Sequence, residues 1–132
     1  MEIIDKLALL EILDGRILST RSKGITRYYI PGGKREEGES DFETLSREIR
    51  EELNVEVIED SINFVGIFQA QADSHAEGVQ VKMTCYTGSY TGTPIASGEI
   101  AEVVWLSYKD RDLVSPVDQT IFDWLKEKNL LS

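Results

Sequence analysis

The sequence predicts an α/β fold in which a mixed β-sheet carries helices on its faces. Three observations support this. Apolar runs of strand length recur along the chain, two segments keep helical spacing of apolar residues, and the two kinds alternate unevenly rather than in a regular repeat. At 132 residues, 41% apolar and 29% charged, the chain is the size of one domain and can bury a core, so a single domain over 1–132 is expected and disorder is excluded.

Ile3 to Leu13 is rich in Ile and Leu, and Asp14-Gly15 before Arg16-Ile17-Leu18 is a tight-hairpin signal, so two strands open the fold. Tyr28-Tyr29-Ile30 reads as a short strand stopped by Pro31-Gly32-Gly33, which begins a special loop. Ser40-Asp41-Phe42-Glu43 has the form of a capping box, predicting a helix from near Asp41. Phe42, Leu45, Ile49 and Leu53 give that helix one apolar stripe, and Asn54 suits a left-handed cap at its end. Strands are expected at Val55 to Ile58, Ile62 to Phe68, Val79 to Thr87 and Val103 to Leu106. Ser115-Pro116 opens a closing helix on which Val117, Ile121, Trp124 and Leu125 keep helical spacing.

Charge and cysteine content narrow the function. With 14 basic and 24 acidic residues the net charge is -10, which opposes loose adhesion to nucleic acid or anionic lipid. The single Cys85 cannot form an internal disulfide, Met1-Glu2 opens without a basic leader, and no apolar run approaches the length of about 18 residues that would span a membrane. The expectation is a cytoplasmic monomer or homodimer with a small-molecule partner.

At about 100° per residue, Glu48, Glu51 and Glu52 share one face of the first predicted helix, away from its apolar stripe. Like charges so placed lower helix stability by a few tenths of a kcal/mol per pair. A hard divalent cation would compensate them, because Mg2+ takes a few carboxylates plus waters and substrate phosphates. Three glutamates on a surface helix are by themselves more simply a solvated acidic face, so the surrounding residues must decide.

Those residues are Gly33, Glu39 after five intervening positions, and Arg47-Glu48-Ile49-Arg50-Glu51-Glu52-Leu53-Asn54-Val55 after seven more. Here the sequence resembles the Nudix hydrolase family, whose pattern G-x5-E-x7-R-E-U-x-E-E-x-G-U, with U aliphatic, is met except that Asn54 stands in place of Gly. Asn tolerates the same backbone conformation. The resemblance implies a Nudix-type α/β/α sandwich, a nucleoside diphosphate linked to a further group as substrate, and hydrolysis at phosphorus with Mg2+, or Mn2+, bound. It implies that Glu48, Glu51 and Glu52 hold metal and that Glu51 or Glu52 takes a proton from water. Gly33 would let backbone approach the metal or phosphate, while Glu39 orients metal waters or braces the loop. Arg47 would hold carboxylates through its fork. In similar proteins a glutamate before the last strand serves as ligand or base; Glu99 is preferred over Glu102 for that role.

Between Arg16 and Arg35 lie six basic residues and no acidic one. Arg21, Lys23 and Arg27 are the candidates to attract outer phosphates, against the plainer role of solvated strand edges. Asp118 falls where MutT-like members place a base-reading Asn, although a capping role with Ser115 explains it equally well. Tyr28 or Tyr29 could stack on a base, one of the two facing the core. His75 reads as a solvated loop residue, Cys85 as a small buried hydrophobe, and Trp105 and Trp124 as core.

The expected function is a Mg2+-dependent MutT-like nucleoside triphosphate diphosphatase releasing a monophosphate and pyrophosphate. The chain is small, and neither a proline about fifteen residues beyond Val55 nor a suitably placed tyrosine is present, features the resemblance would attach to ADP-ribose and dinucleoside polyphosphate cleavage. The alternatives are an ADP-ribose or nucleotide-sugar diphosphatase, a nucleotide-binding regulatory module without turnover, and an isoprenoid diphosphate isomerase, for which Cys85 alone is insufficient.

Overall fold

The computed structural model describes residues 2–72 and 78–132, so His75 lies outside the described residues. The elements are β1 (Glu2–Leu9), β2 (Ile12–Leu13), β3 (Arg16–Ser22), β4 (Gly32–Lys34), α1 (Asp41–Leu53), β5 (Glu56–Val57), β6 (Asn63–Gln71), β7 (Val79–Thr87), β8 (Tyr90–Thr91), β9 (Ile100–Leu106) and α2 (Pro116–Glu127). Short 3-10 turns lie at Glu59–Ser61 and Tyr108–Leu113. A four-stranded sheet runs β4-β1-β7-β6, a three-stranded one β2-β3-β9, and β5 pairs with β8. The first sheet is mixed, since β1 is antiparallel to β4 and parallel to β7.

Side-chain alternation on the strands sorts the core into two halves. Leu7, Leu9 and Leu18 point to the side covered by α1, where they meet Leu45, Ile49 and Leu53. Ala8, Leu10 and Ile17 point to the other side and pack with Val117, Ile121, Phe122 and Leu125 of α2. The sheets therefore lie between the helices, as expected. Each of the fully buried large apolar side chains stabilises the fold by about 1.5–3 kcal/mol relative to exposure.

Helix α1 begins and ends where local chemistry dictates. Ser40 Oγ accepts from the Glu43 N–H while Glu43 accepts from the Ser40 N–H, and Asn54 takes the left-handed conformation at φ 57°. Helix α2 starts at Pro116 as expected, but Ser115 makes no side-chain capping bond. The Asp118 carboxylate instead turns inward and accepts from the Ile30 N–H at 2.9 Å, so the capping explanation of Asp118 does not hold.

The strands depart from expectation in several places. The Ile3 to Leu13 run is broken after Leu9: β1 joins the four-stranded sheet, and only Ile12–Leu13 forms the hairpin with β3 across Asp14 and Gly15. Tyr28 and Tyr29 make isolated bridges to Val114 and Thr20 rather than a strand. The glycine loop itself supplies the strand β4, because it finds β1 as an antiparallel partner. β6 runs on through Gln69 to Gln71, pairing with β7 as far as Gln80. β9 starts at Ile100, and Trp105, read as core, is 37% exposed on it. Trp124 packs edge-on against Phe68 at 5.6 Å. Cys85 is buried, and burial pushes its thiol pKa up, as befits a core residue.

Candidate active site

The acidic face of α1 is organised by Arg47. Its Nε donates to Glu39 Oε2 at 2.8 Å and its Nη2 to Glu39 Oε1 at 2.9 Å. The same guanidinium donates through Nη1 to Glu48 Oε1 at 2.8 Å and through Nη2 to the Lys34 carbonyl at 3.0 Å. Glu39 Oε1 also accepts from the Glu36 N–H and the Thr44 hydroxyl, both at 2.9 Å. With both oxygens occupied, and Arg47 the foremost cause, the Glu39 pKa is held down at about 2. Of the two expected uses of Glu39, bracing the loop is the one this geometry serves.

The three helix glutamates are not equivalent. Glu51 is open to solvent, with 58% of its side chain exposed and Arg47 at 3.7 Å. Glu48 is largely covered, and burial raises its pKa even though Arg47 opposes the shift. Glu52 is buried further; Oε1 accepts from the Gly32 N–H at 3.1 Å. Burial, with the charges of Glu48 and Glu51 adding to it, pushes the Glu52 pKa up to about 8.

Gly32 and Gly33 are required for different contacts. A Cβ on Gly33 would lie 2.3 Å from the Glu48 carboxylate, so the missing side chain is the room in which that carboxylate sits. A Cβ on Gly32, whose φ is +147°, would lie 1.9 Å from the Leu7 carbonyl oxygen. Among the described residues no three acidic, His or Cys side chains are already converged as a metal cage. The donor set nevertheless fits a hard divalent cation. It offers carboxylate oxygens from three neighbouring residues, two of them driven by burial toward taking up positive charge, beside a cradle kept free of side chain.

A cleft of about 480 Å³ opens beside Glu52 and both glycines. Its walls include Ile4, Val81, Met83 and Tyr29, its rim reaches Ser115 to Val117 at the start of α2, and Lys6 and Lys34 are the cations lining it. Tyr29 is thus the cleft-facing member of the tyrosine pair, while Tyr28 packs on the core and donates to Glu102 Oε1 at 2.5 Å.

Arg21, Lys23 and Arg27 do not line this cleft. Arg21 Nε donates to Glu102 Oε1 at 2.8 Å and its Nη1 to the Ile25 carbonyl at 3.0 Å. Arg27 Nη1 donates to the Val114 carbonyl at 3.0 Å, tying the segment before β4 to the one before α2. Lys23 is exposed, and its N–H donates to the Glu99 carbonyl at 2.8 Å. Glu99 ends a segment docked on α1, where the N–H groups of Ile95 and Ser97 donate to the Leu53 and Glu52 carbonyls at 3.0 Å. Glu99 is therefore joined through the backbone to the acidic helix, with its side chain exposed. Glu102 is committed to Arg21 and Tyr28, which hold its pKa down.

Asp118 is fully buried and does not line the cleft; its Oδ1 has no hydrogen-bond partner, and burial pushes its pKa up to about 7. Lys6, which lines the cleft, is not among the residues that motif spacing singles out. The available signal was a lysine inside the apolar run Ile3 to Leu10, at a position whose strand neighbours face inward.

The sequence and the fold match known proteins. Residues 7–125 match the NUDIX domain family model. An uncharacterized Nudix hydrolase of Bacillus subtilis, YvcI, is 28% identical over 114 residues, covering 85% of this chain and 72% of that one. The solution structure of the E. coli ORF135 protein superposes with TM-score 0.72 at 26% identity, covering 96% of this chain and 92% of that chain. The crystal structure of the MutT protein from Methanosarcina mazei Go1 gives TM-score 0.76 at 19% identity, with 97% and 96% covered, and shares the fold. The glycine strand, the braced acidic helix and a family match spanning most of the sequence together establish that the chain belongs to the Nudix family, as a hydrolase of pyrophosphate bonds.

Proposed function

We propose that the protein is a single-domain, cytoplasmic, Mg2+-dependent hydrolase of nucleoside diphosphate-X bonds, acting on nucleoside triphosphates to give a monophosphate and pyrophosphate. The observation that carries this reading is the position of Glu52. A partly buried carboxyl with a raised pKa lies in the wall of a cleft of nucleotide-binding size, beside Gly32 and Gly33. Glu48, Glu51 and Glu52 would hold Mg2+, or Mn2+ in its place. The ion supplies charge neutralisation on the diphosphate and lowers the pKa of water.

The chain's own residues do the positioning. Arg47 fixes the Glu48 rotamer and ties it through Glu39 and Lys34 to the loop after β4. Gly33 admits the Glu48 carboxylate. Glu51, the most exposed of the trio, or Glu52 accepts the proton of the attacking water, with Glu99 the candidate from the docked segment. Of the three basic candidates for an outer phosphate we favour Lys23, which is exposed beside Glu99 in the backbone ladder, over Arg21 and Arg27, whose guanidinium groups already hold protein acceptors. Asp118 remains a candidate for the substrate only through its neighbours, since Ser115 to Val117 line the cleft and it does not.

Phosphate release with added pyrophosphatase, measured with and without Mg2+ on triphosphates, nucleotide sugars and ADP-ribose, tests the reading. Triphosphates should lead and turnover should require the metal. Unchanged turnover by Glu51→Gln would overturn the assignment of the trio, and a clear lead for ADP-ribose would overturn the substrate.

A further inference from the structure

Lys6 is one of two lysines lining the cleft whose charge the proposed hydrolysis does not employ, and the other, Lys34, is exposed. Lys6 stands on β1 between Ile4 and Ala8, half-buried, and lines the cleft. Its ammonium lies 5.7 Å from the centroid of the Tyr29 ring. Its charge lowers the pKa of Glu48, Glu52 and Asp118, so it faces the space between the acidic helix and the start of α2. Among the described residues this ammonium is met by a ring face and by distant carboxyl charge, and its N–H donors are not spent on a hydrogen bond.

The surroundings suit a flat ring. Ile4, Val81, Met83 and Tyr29 supply apolar and aromatic wall in the same cleft as Lys6, and Glu52, beside which the diphosphate is to be held, lines that cleft too. A base seated against this wall presents its polar edge to Lys6. Of the other polar side chains nearby, Thr20 already donates to the Tyr29 carbonyl and Gln71 accepts from Gly78 and Gln80, while the Ser22 hydroxyl can both donate and accept and so accommodates either kind of edge. Lysine has donors only. Guanine, uracil and thymine offer it an exocyclic carbonyl, whereas adenine and cytosine offer an amino group at the corresponding position. An amino group would set donor against donor and leave both unpaired in a partly apolar cleft.

Resting on the triphosphate hydrolase reading, we propose that Lys6 reads the exocyclic carbonyl of the base, so that the cleft selects guanine and uracil or thymine nucleotides over those of adenine and cytosine. Lys34, the register partner of Lys6 on β4, is exposed and does not take this part.

The test compares the wild type with Lys6→Met, which keeps the length of the stem and removes the donors. Steady-state kinetics on GTP, UTP, ATP and CTP are paired with calorimetric titration of GMP, UMP, AMP and CMP, which needs no turnover, and thermal melting checks the fold. The wild type should favour the carbonyl-edged nucleotides by about tenfold or more in kcat/KM and in affinity. Lys6→Met should collapse that preference through KM, and Lys6→Arg, which restores donors, should recover part of it. A wild type that favours ATP or CTP, equal binding of the four monophosphates, or a Lys6→Met loss that is the same for all four bases overturns the inference. That last pattern would make Lys6 a phosphate contact. A preserved GMP and UMP preference with no turnover of any triphosphate in Mg2+ or Mn2+ supports Lys6 as the reader and strikes the hydrolase reading instead.

Discussion

Replacing Gly33 with alanine separates the cost to the site from the cost to the fold. The added Cβ would lie 2.3 Å from Cδ and Oε2 of Glu48, about 1 Å inside ordinary van der Waals contact. The obstructed group is the end of a flexible side chain, so it can swing away and the backbone need not move. The Glu48 carboxylate then leaves its place, and with it goes the 2.8 Å bond from Arg47 that sets its rotamer. A misplacement of about 1 Å at a reacting centre can cost on the order of a hundredfold in rate, so kcat/KM for pyrophosphate release should fall by roughly that factor. Stability should fall by only about 1 kcal/mol, the order of one charge-assisted bond between side chains that keep about a fifth of their surface in water. Gly32→Ala is the control. Its Cβ would lie 1.9 Å from the Leu7 carbonyl oxygen with φ at +147°, and β1 cannot yield there without losing its pairing with β4. That substitution should cost about 2–4 kcal/mol and register mainly in chemical denaturation. Gly33→Ala with wild-type kcat/KM, or with a stability loss equal to that of Gly32→Ala, would refute the reasoning.

Two further outcomes follow from groups near the site. Arg47→Lys replaces a fork that spans both oxygens of Glu39, Glu48 and a backbone carbonyl by one ammonium; urea denaturation should show a loss of about 1–2 kcal/mol, and kcat should drop with it. Asp118 binds its proton more tightly in the folded chain, with a pKa of about 7 against the usual 3.8, so its contribution is fully present below about pH 4 and is lost as pH rises toward 7. Asp118→Asn should remove that decline, so the melting temperature of the variant relative to wild type should rise across this window; a pH-independent difference would exclude the titration of Asp118 as its source.

What was legible in the sequence was what short-range chemistry decides. The start and end of α1 depend on Ser40, Glu43 and Asn54, each acting within a turn of the helix, and all three behave as their residue types predict. The spacing of Glu39, Arg47 and Glu48 is likewise local, and the resemblance it supports is borne out by the family match. Pairing between distant segments was not legible. Nothing around Gly32 announces a strand, because β4 exists only where β1 offers its edge. Arg21 was read as a phosphate-seeking cation, yet it meets Glu102 because β3 and β9 align those two residues across the sheet, 81 positions apart in sequence. The same blindness hid Lys6, whose surroundings are assembled from β1, β7, the segment before β4 and the start of α2.

The parallel register of β1 with β7 also bears on how the protein is made. Eight residues, Glu2 to Leu9, are matched one for one with Val79 to Tyr86, so β1 has no complete berth until the much later strand β7 has been synthesised. Vectorial synthesis thus presents an aliphatic ribbon early and shelters it late, a sequence of events that slows folding in step with the separation of the partners.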